Sequence, residues 1–375
     1  MASYDDGHTR TGTMVYHVPF VLNQKATSAS GIRPVKMRNA FEAIGLRVLE
    51  VSGPYPQRRK QIAQILKQAK SGLKIDFVYS EAATSPTGLS EGITPFTSLT
   101  RDMSFLRKLR GLGIPVGLFY RDIYWQFDEY LERVKQPLAG FLRWRYKADL
   151  KGYETAVDRI YLPSMRMASY LLPKNAAKCA ALPPGATLVD SETPDLERGV
   201  SLFYVGGVGN YYRMHETVRG VEQAQAARLT ICTREAEWRE MRSSYEDVIG
   251  DSVTVVHRSG ADLEPLYDDA HIGSLLMEPI AYRDFAAPLK LYEYLGHGKP
   301  VIATTGSLAG EFVQEHGFGW VLDYDAEALA SLLNRIEADP GILSAATARA
   351  KQMRHSHTWE ARAAEVHDDL CGLAR

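Results

Sequence analysis

The chain is poor in cysteine: Cys179, Cys232 and Cys371 are the only three in 375 residues, and they stand far apart in no metal-ligand spacing. That argues against a disulfide framework and points to thiols kept reduced in a cytosolic setting. Charge of one sign is lacking too. With 44 Lys+Arg against 45 Asp+Glu the formal net charge is −1, which argues against a general nucleic-acid binder. No apolar run approaches the roughly 18 residues that a spanning helix needs. The polar, acidic start MASYDDGHTR does not have the basic-then-apolar order of a signal peptide. These absences predict a cytoplasmic protein, at most peripheral on the inner face of the plasma membrane. What is present, 45% hydrophobic and 24% charged residues, is the composition of an ordinary globular chain, and the length suits two domains.

Apolar runs alternate with helical spacing. Residues 14–21 read as a strand, 33–44 as a helix stopped by Gly45, and 46–51 as the next strand. The alternation continues with helix 57–70, strand 76–79, helix 102–112, strand 114–120 and strand 158–164. A βαβ rhythm implies a parallel sheet. Residues 182–196 are rich in Pro, Thr, Ser and acids without periodicity, which marks a linker. The pattern restarts with strand 200–205, a helix from about His215 and strands at 228–232, 252–256, 272–276, 300–304 and 319–322, before a helical tail carrying Trp359. The expectation is an α/β protein of two Rossmann-like parallel-sheet domains facing each other across a cleft. Residues 1–190 form the first domain and 191–355 the second.

Ligands of such sheets collect at the carboxyl ends of strands and at helix starts, which selects the candidates. In the first half these are Ser80 and Glu81, Arg121 and Asp122 after a strongly apolar strand, and Gly31 where backbone meets a helix entry. Arg121 and Asp122 serve a ligand or pair with each other; Gly31 admits a ligand or merely makes a turn. In the second half, Gly206-Gly207-Val208-Gly209 forms a glycine-rich strand-to-helix turn. It departs from the dinucleotide fingerprint G-x-G-x-x-G because the third glycine is missing at its offset. Residues 277–310 carry Glu278, a polar loop with Asp284, and a short helix with Lys290 and Glu293 three apart. Region 125–153 is compositionally odd: between residues 141 and 151 four cations oppose one acid, interleaved with Phe141, Trp144 and Tyr146. That pattern suits an anionic membrane surface, or a solvated helix whose aromatics pack inward.

Together Glu278-Pro279, Pro288-x-Lys290, Tyr292-Glu293-Tyr294, Gly298-Lys299-Pro300-Val301-Ile302-Ala303 and Gly310-Glu311 resemble the donor-binding signature of retaining GT-B glycosyltransferases, especially family 4. Tyr204-Val205-Gly206-Gly207, Leu182-Pro183-Pro184-Gly185 and the tail with Trp359 agree, and the resemblance implies that the C-terminal helix of about 356–375 packs back on the first domain. The likeness is strong from about residue 200 and weak before it. It implies transfer of a sugar from a nucleotide-diphosphate sugar, UDP- or GDP-linked, to a hydroxyl of a glycan or lipid-linked acceptor with retention, in surface polysaccharide or glycoconjugate synthesis. It also implies no cofactor, no metal and no nucleic-acid partner. Carried over by position, Lys290 and Arg213 would hold the diphosphate, Glu293 the ribose, and residues 278–284 with Glu278 and Asp284 the donor sugar. Arg258 and Arg234 would lie near the base, Gly207 in the second-domain turn, and Gly31 in the first-domain loop that closes over the phosphates. Arg121 would steady sugar or phosphate, or Asp122 would orient the acceptor hydroxyl. One departure stands out, because Phe285 takes the place of a glutamate eight positions before Glu293. Two rivals share the fold, a nucleotide-sugar epimerase and a non-catalytic nucleotide-sugar-binding protein; a nicotinamide enzyme matches the glycine turn poorly.

Overall fold

A computed structural model describes residues 10–26, 28–87, 89, 101–128, 130–209, 211–280, 285 and 287–373, without the side chains of residues 132 and 133. The chain divides into two compact units, Met1–Pro184 with Trp359–Arg375, and Gly185–Thr358. The chain passes between these units after Pro184 and after Thr358.

In the first unit, strands β1 (Thr13–His17), β2 (Arg47–Val51), β3 (Phe77–Glu81), β4 (Val116–Phe119), β5 (Arg159–Leu162) and β6 (Cys179–Ala181) form one parallel sheet in the order β2-β1-β3-β4-β5-β6. Strands β3 and β4 are buried along their whole length, as expected when helices cover both faces. Strand β1 stops at His17, short of the residue 21 read from the sequence. Val18 still donates its N–H to Val51, but Pro19 has no N–H to offer a ladder. Helix Trp359–Gly372 belongs to this unit: Asp369 accepts from both Arg159 (2.7 and 2.8 Å) and the Tyr161 hydroxyl (2.7 Å).

The odd segment is not one helix. A 3-10 turn Tyr124–Gln126 and a short helix Tyr130–Arg133 precede helix Leu138–Ala156. Its cations do not form a solvent-facing stripe either. Arg145 is buried 3.5 Å from the buried Asp149, and Arg143 donates to the carbonyls of Trp125 and Phe127, so Lys147 and Lys151 alone of the four are exposed. The aromatics divide: Tyr146 stacks inward on Trp125 with ring centroids 5.0 Å apart, whereas Phe141 and Trp144 are exposed.

The second unit holds β7 (Val200–Val205), β8 (Ala227–Cys232), β9 (Val253–Val256), β10 (Ile272–Leu275), β11 (Val301–Thr304) and β12 (Gly319–Leu322), again all parallel, in the order β12-β11-β10-β7-β8-β9. This is the doubly wound arrangement, whose order reverses between β7 and β10. Residues 185–199 are irregular but tied down. Lys299 is buried and donates Nζ to Glu192 O at 2.7 Å, and burial pulls its pKa down to about 8. The lysine of the Gly298-Lys299-Pro300 motif thus fastens the segment that enters the unit. Helix Leu308–His316 follows β11, capped by Ser307 Oγ accepting from Gly310 N. Gly310 lies in its first turn because a Cβ there would stand 2.5 Å from Thr304 O.

Candidate functional site

Strand β7 is buried until Val205 and then breaks at Gly206, whose φ of +144° suits glycine. Its missing side chain has a definite use. A Cβ at Gly206 would stand 2.6 Å from Nζ of Lys290. Lys290 lies in the first turn of helix Leu289–Gly296, entered from Pro288, and crosses to this turn to donate to the Tyr204 hydroxyl at 2.9 Å. Its ammonium also lies 4.1 Å from the Tyr204 ring centroid and 4.9 Å from that of Tyr212. The Tyr204 hydroxyl in turn donates to Gly207 O. The lysine and the glycine turn are thereby one assembly at the point where strand order reverses, held by a fully buried tyrosine.

The other side of the turn is held by Glu237 of helix Glu235–Met241, whose Oε1 accepts from Val208 N (3.0 Å) and Gly209 N (3.1 Å). A Cβ at Gly207 would come within 2.8 Å of that oxygen. Arg213 follows the turn, 46% exposed, with Nη1 3.5 Å from Glu278 Oε2, and Glu278 N donates to Arg213 O. A cavity of about 410 Å³ opens beside this pair, lined also by His215, Arg219 and Tyr324. Glu293 sits one turn beyond Lys290 and accepts from the Tyr267 hydroxyl at 3.5 Å. Arg234 and Arg258 are exposed and follow β8 and β9 at the same sheet edge.

The structure thus brings Lys290, Gly207, Arg213 and Glu278 to the β7/β10 reversal, with Glu293 on the same helix as Lys290. Asp284 lies outside the described residues. Phe285 is buried, so the position of the absent glutamate packs inward.

At the carboxyl edge of the first unit the charges are enclosed. Glu81, fully buried at the end of β3, receives Arg121 Nη2 at 3.1 Å and has Arg33 Nε 3.6 Å away. Arg121 donates further to Ala82 O and Ser30 O, while Arg33 lies 3.5 Å over the Phe119 ring. Beside them His17 bridges Ser80 Oγ (2.8 Å) and Asp102 Oδ1 (3.1 Å), and Asp102 meets Arg58. Arg121 therefore reaches Glu81 and two carbonyls, and Asp122 accepts from Tyr124 N at 2.8 Å, capping the next turn. Gly31 lies in the first turn of helix Ala29–Ala43, where a Cβ would stand 2.5 Å from that of Ala26, so the close approach it permits is by its own chain.

Sequence reasoning missed Tyr204 and Glu237. Tyr204 left a trace, a hydroxyl at the end of a buried strand one residue from the glycine turn. Glu237 left none, being one of several acids on a short helix 28 residues from Gly209.

Residues 200–339 match the family model of group 1 glycosyl transferases. No curated protein sequence matches the chain. Among solved structures, sucrose-phosphate synthase from Thermosynechococcus elongatus is similar at 14% identity, covering 97% of this chain and 99% of that one, with a TM-score of 0.62. HepE from Anabaena, solved with UDP-glucose, is similar at 11% identity over 96% and 100%, with a TM-score of 0.60. WaaG, a glycosyltransferase of lipopolysaccharide biosynthesis, is similar at 13% identity over 96% and 100%, with a TM-score of 0.57. These likenesses establish the GT-B fold, two Rossmann-like units, and residues 200–339 of the second carry the match to group 1 glycosyl transferases.

Proposed function

We propose that the second unit binds a nucleotide-diphosphate sugar at the β7/β10 reversal and that the enzyme transfers the sugar to a hydroxyl acceptor held by the first unit, with retention. The observation that carries this reading is Lys290, fixed by Tyr204 against a glycine turn that has space for its ammonium and for no side chain. A fixed cation at a strand-order reversal suits a diphosphate whose charge grows as the sugar leaves. Arg213 supplies a second cation, and its guanidinium fork matches phosphate oxygens. Glu293 takes the ribose hydroxyls, Glu278 and Asp284 the donor sugar, and Arg258 and Arg234 the side of the base. HepE's complex with UDP-glucose supports a donor of this class. At the first unit's edge, Arg121 holds its loops in place through Glu81, and Asp122 is the group that orients the acceptor hydroxyl.

The acceptor is lipid-linked in this reading, because helix Leu138–Ala156 exposes Leu138, Phe141 and Trp144 beside Lys147. No helix among the described residues is long and apolar enough to cross a membrane, so contact would be peripheral. Replacing Phe141 and Trp144 by Ser should abolish co-sedimentation with vesicles containing anionic lipid; unchanged sedimentation removes the lipid from the reading.

The decisive test is Lys290→Ala. Transfer from UDP- or GDP-sugars should fall by about 10²–10³, as when a preorganised charge partner is lost, with circular dichroism unchanged. Near-normal turnover would sink the assignment.

A further inference from the structure

The glycine turn already holds an anion. Two consecutive amides, Val208 N and Gly209 N, converge on one carboxylate oxygen of Glu237 at 3.0 and 3.1 Å, and Gly207 lacks a side chain where that oxygen approaches. Consecutive N–H groups aimed at one point make an anion-binding concavity. This one lies at the carboxyl end of β7, beside the Lys290 ammonium that approaches Gly206.

We propose that the Glu237 carboxylate is an internal stand-in for a phosphate oxygen and that the donor's diphosphate displaces it on binding; this rests on the nucleotide-sugar reading above. The carboxylate has somewhere to go. Its other oxygen is 3.5 Å from Nη1 of Arg234, which is 71% exposed, so a rotation of the Glu237 side chain, itself 24% exposed, exchanges two amide partners for a guanidinium at the surface. In the absence of donor the arrangement leaves neither amide unsatisfied and keeps the turn in shape. In its presence a diphosphate competes with a tethered carboxylate for the same two donors. Apparent affinity is then the intrinsic affinity reduced by the fraction of time the amides are vacant. Glu237 thus raises the donor concentration the enzyme requires and has no part in the chemical step.

The test is titration calorimetry of the full chain and its E237A and E237Q variants with inorganic pyrophosphate and with UDP. If the turn is vacant a tenth of the time, E237A binds both about tenfold more tightly, and E237Q, which keeps a neutral acceptor in place, gains less in the same direction. Pyrophosphate affinity that is equal or weaker in E237A, with circular dichroism unchanged, overturns the proposal, because Glu237 would then only brace the turn. Should E237A fail to fold, weaker binding by E237Q overturns it equally. A gain for pyrophosphate while no form binds UDP supports displacement of the carboxylate and sinks the nucleotide reading instead.

Discussion

The two sheets of this protein are both parallel and six-stranded, and each reverses its strand order once, between β1 and β3 in the first unit and between β7 and β10 in the second. At the first reversal the charges are paired inside the protein: Glu81 with Arg121 and Arg33, and Asp102 with Arg58 and beside the His17 ring, every one with a side chain less than one-tenth exposed. At the second, Arg213 and Glu278 are more than two-fifths exposed and 3.5 Å apart, and Lys290 donates to the Tyr204 hydroxyl. A reversal of strand order has been used once to fix a frame and once to present charge. The lesson is that an arginine after a strand is informative about ligands only when no buried carboxylate has already claimed it. Arg121 follows an apolar strand as visibly as Arg213 follows a glycine turn, yet its partner Glu81 lies 40 residues away and fully inside.

The largest effect that separates the two edges is expected in the first. Glu81→Gln leaves two buried guanidinium groups without their carboxylate, and breaking a buried pair from one side costs about 3–5 kcal/mol. Urea unfolding should show that loss, while the UDP affinity of the surviving folded protein stays within a factor of about two, because the second unit keeps every residue of its turn. A loss below about 1 kcal/mol would mean that water reaches Glu81 and that the two edges differ less than the burial indicates. Lys290→Ala is the converse. Its cost of about 3–4 kcal/mol should appear in transfer alone, with unfolding shifted by no more than about 0.5 kcal/mol.

The next effect concerns a charge in the first unit that is buried without being fully compensated. Burial pushes the Asp149 carboxyl up to about 6, against the opposing influence of the Thr87 N–H and of Arg145. The folded chain therefore holds this proton more firmly than the unfolded chain. The contribution to stability is complete below the unfolded value near pH 4 and is lost as pH rises through about 6. Between those limits it amounts to roughly 3 kcal/mol. Asp149→Asn keeps an acceptor for the Thr87 N–H and removes the titration, so unfolding free energy followed from pH 4 to 7 should flatten by about that amount relative to the parent. An unchanged pH slope would assign the dependence to another group.

How much of this was legible follows from range. The parallel sheets and the grouping of Lys290 with Glu293 rest on local periodicity and spacing, which a single sequence displays, whereas the return of the Trp359 helix came only through the family resemblance. The partners that decide what a charge does are distant. Glu237 reaches Gly209 across 28 residues, and Lys299, part of the motif that carried the family resemblance, is spent on a backbone carbonyl 107 residues away. The four cations counted in residues 141–151 hide the same effect of range, since charge is counted along the chain while Arg145 is buried 3.5 Å from Asp149. Glu81, selected as a ligand candidate, could have been read as a partner for arginine instead. It ends the strand Phe-Val-Tyr-Ser-Glu, which is buried throughout, and a carboxylate in such a place needs a cationic partner.

The smallest expected effect sharpens the second edge. Arg258 follows β9 two strands from the glycine turn and is exposed, so a base lying there gains from it only a solvent-screened contact. Arg258→Ala should leave unfolding within about 0.5 kcal/mol of the parent. It should weaken UDP or GDP by about two- to fivefold, the scale of an exposed charge contact of up to about 1 kcal/mol. Inorganic pyrophosphate, which carries no base, should bind the variant as it binds the parent. That pair of titrations separates the base end of the site from the phosphate end: an equal loss for both ligands would draw Arg258 into the diphosphate group with Lys290 and Arg213, and a loss for neither would move the base away from β9.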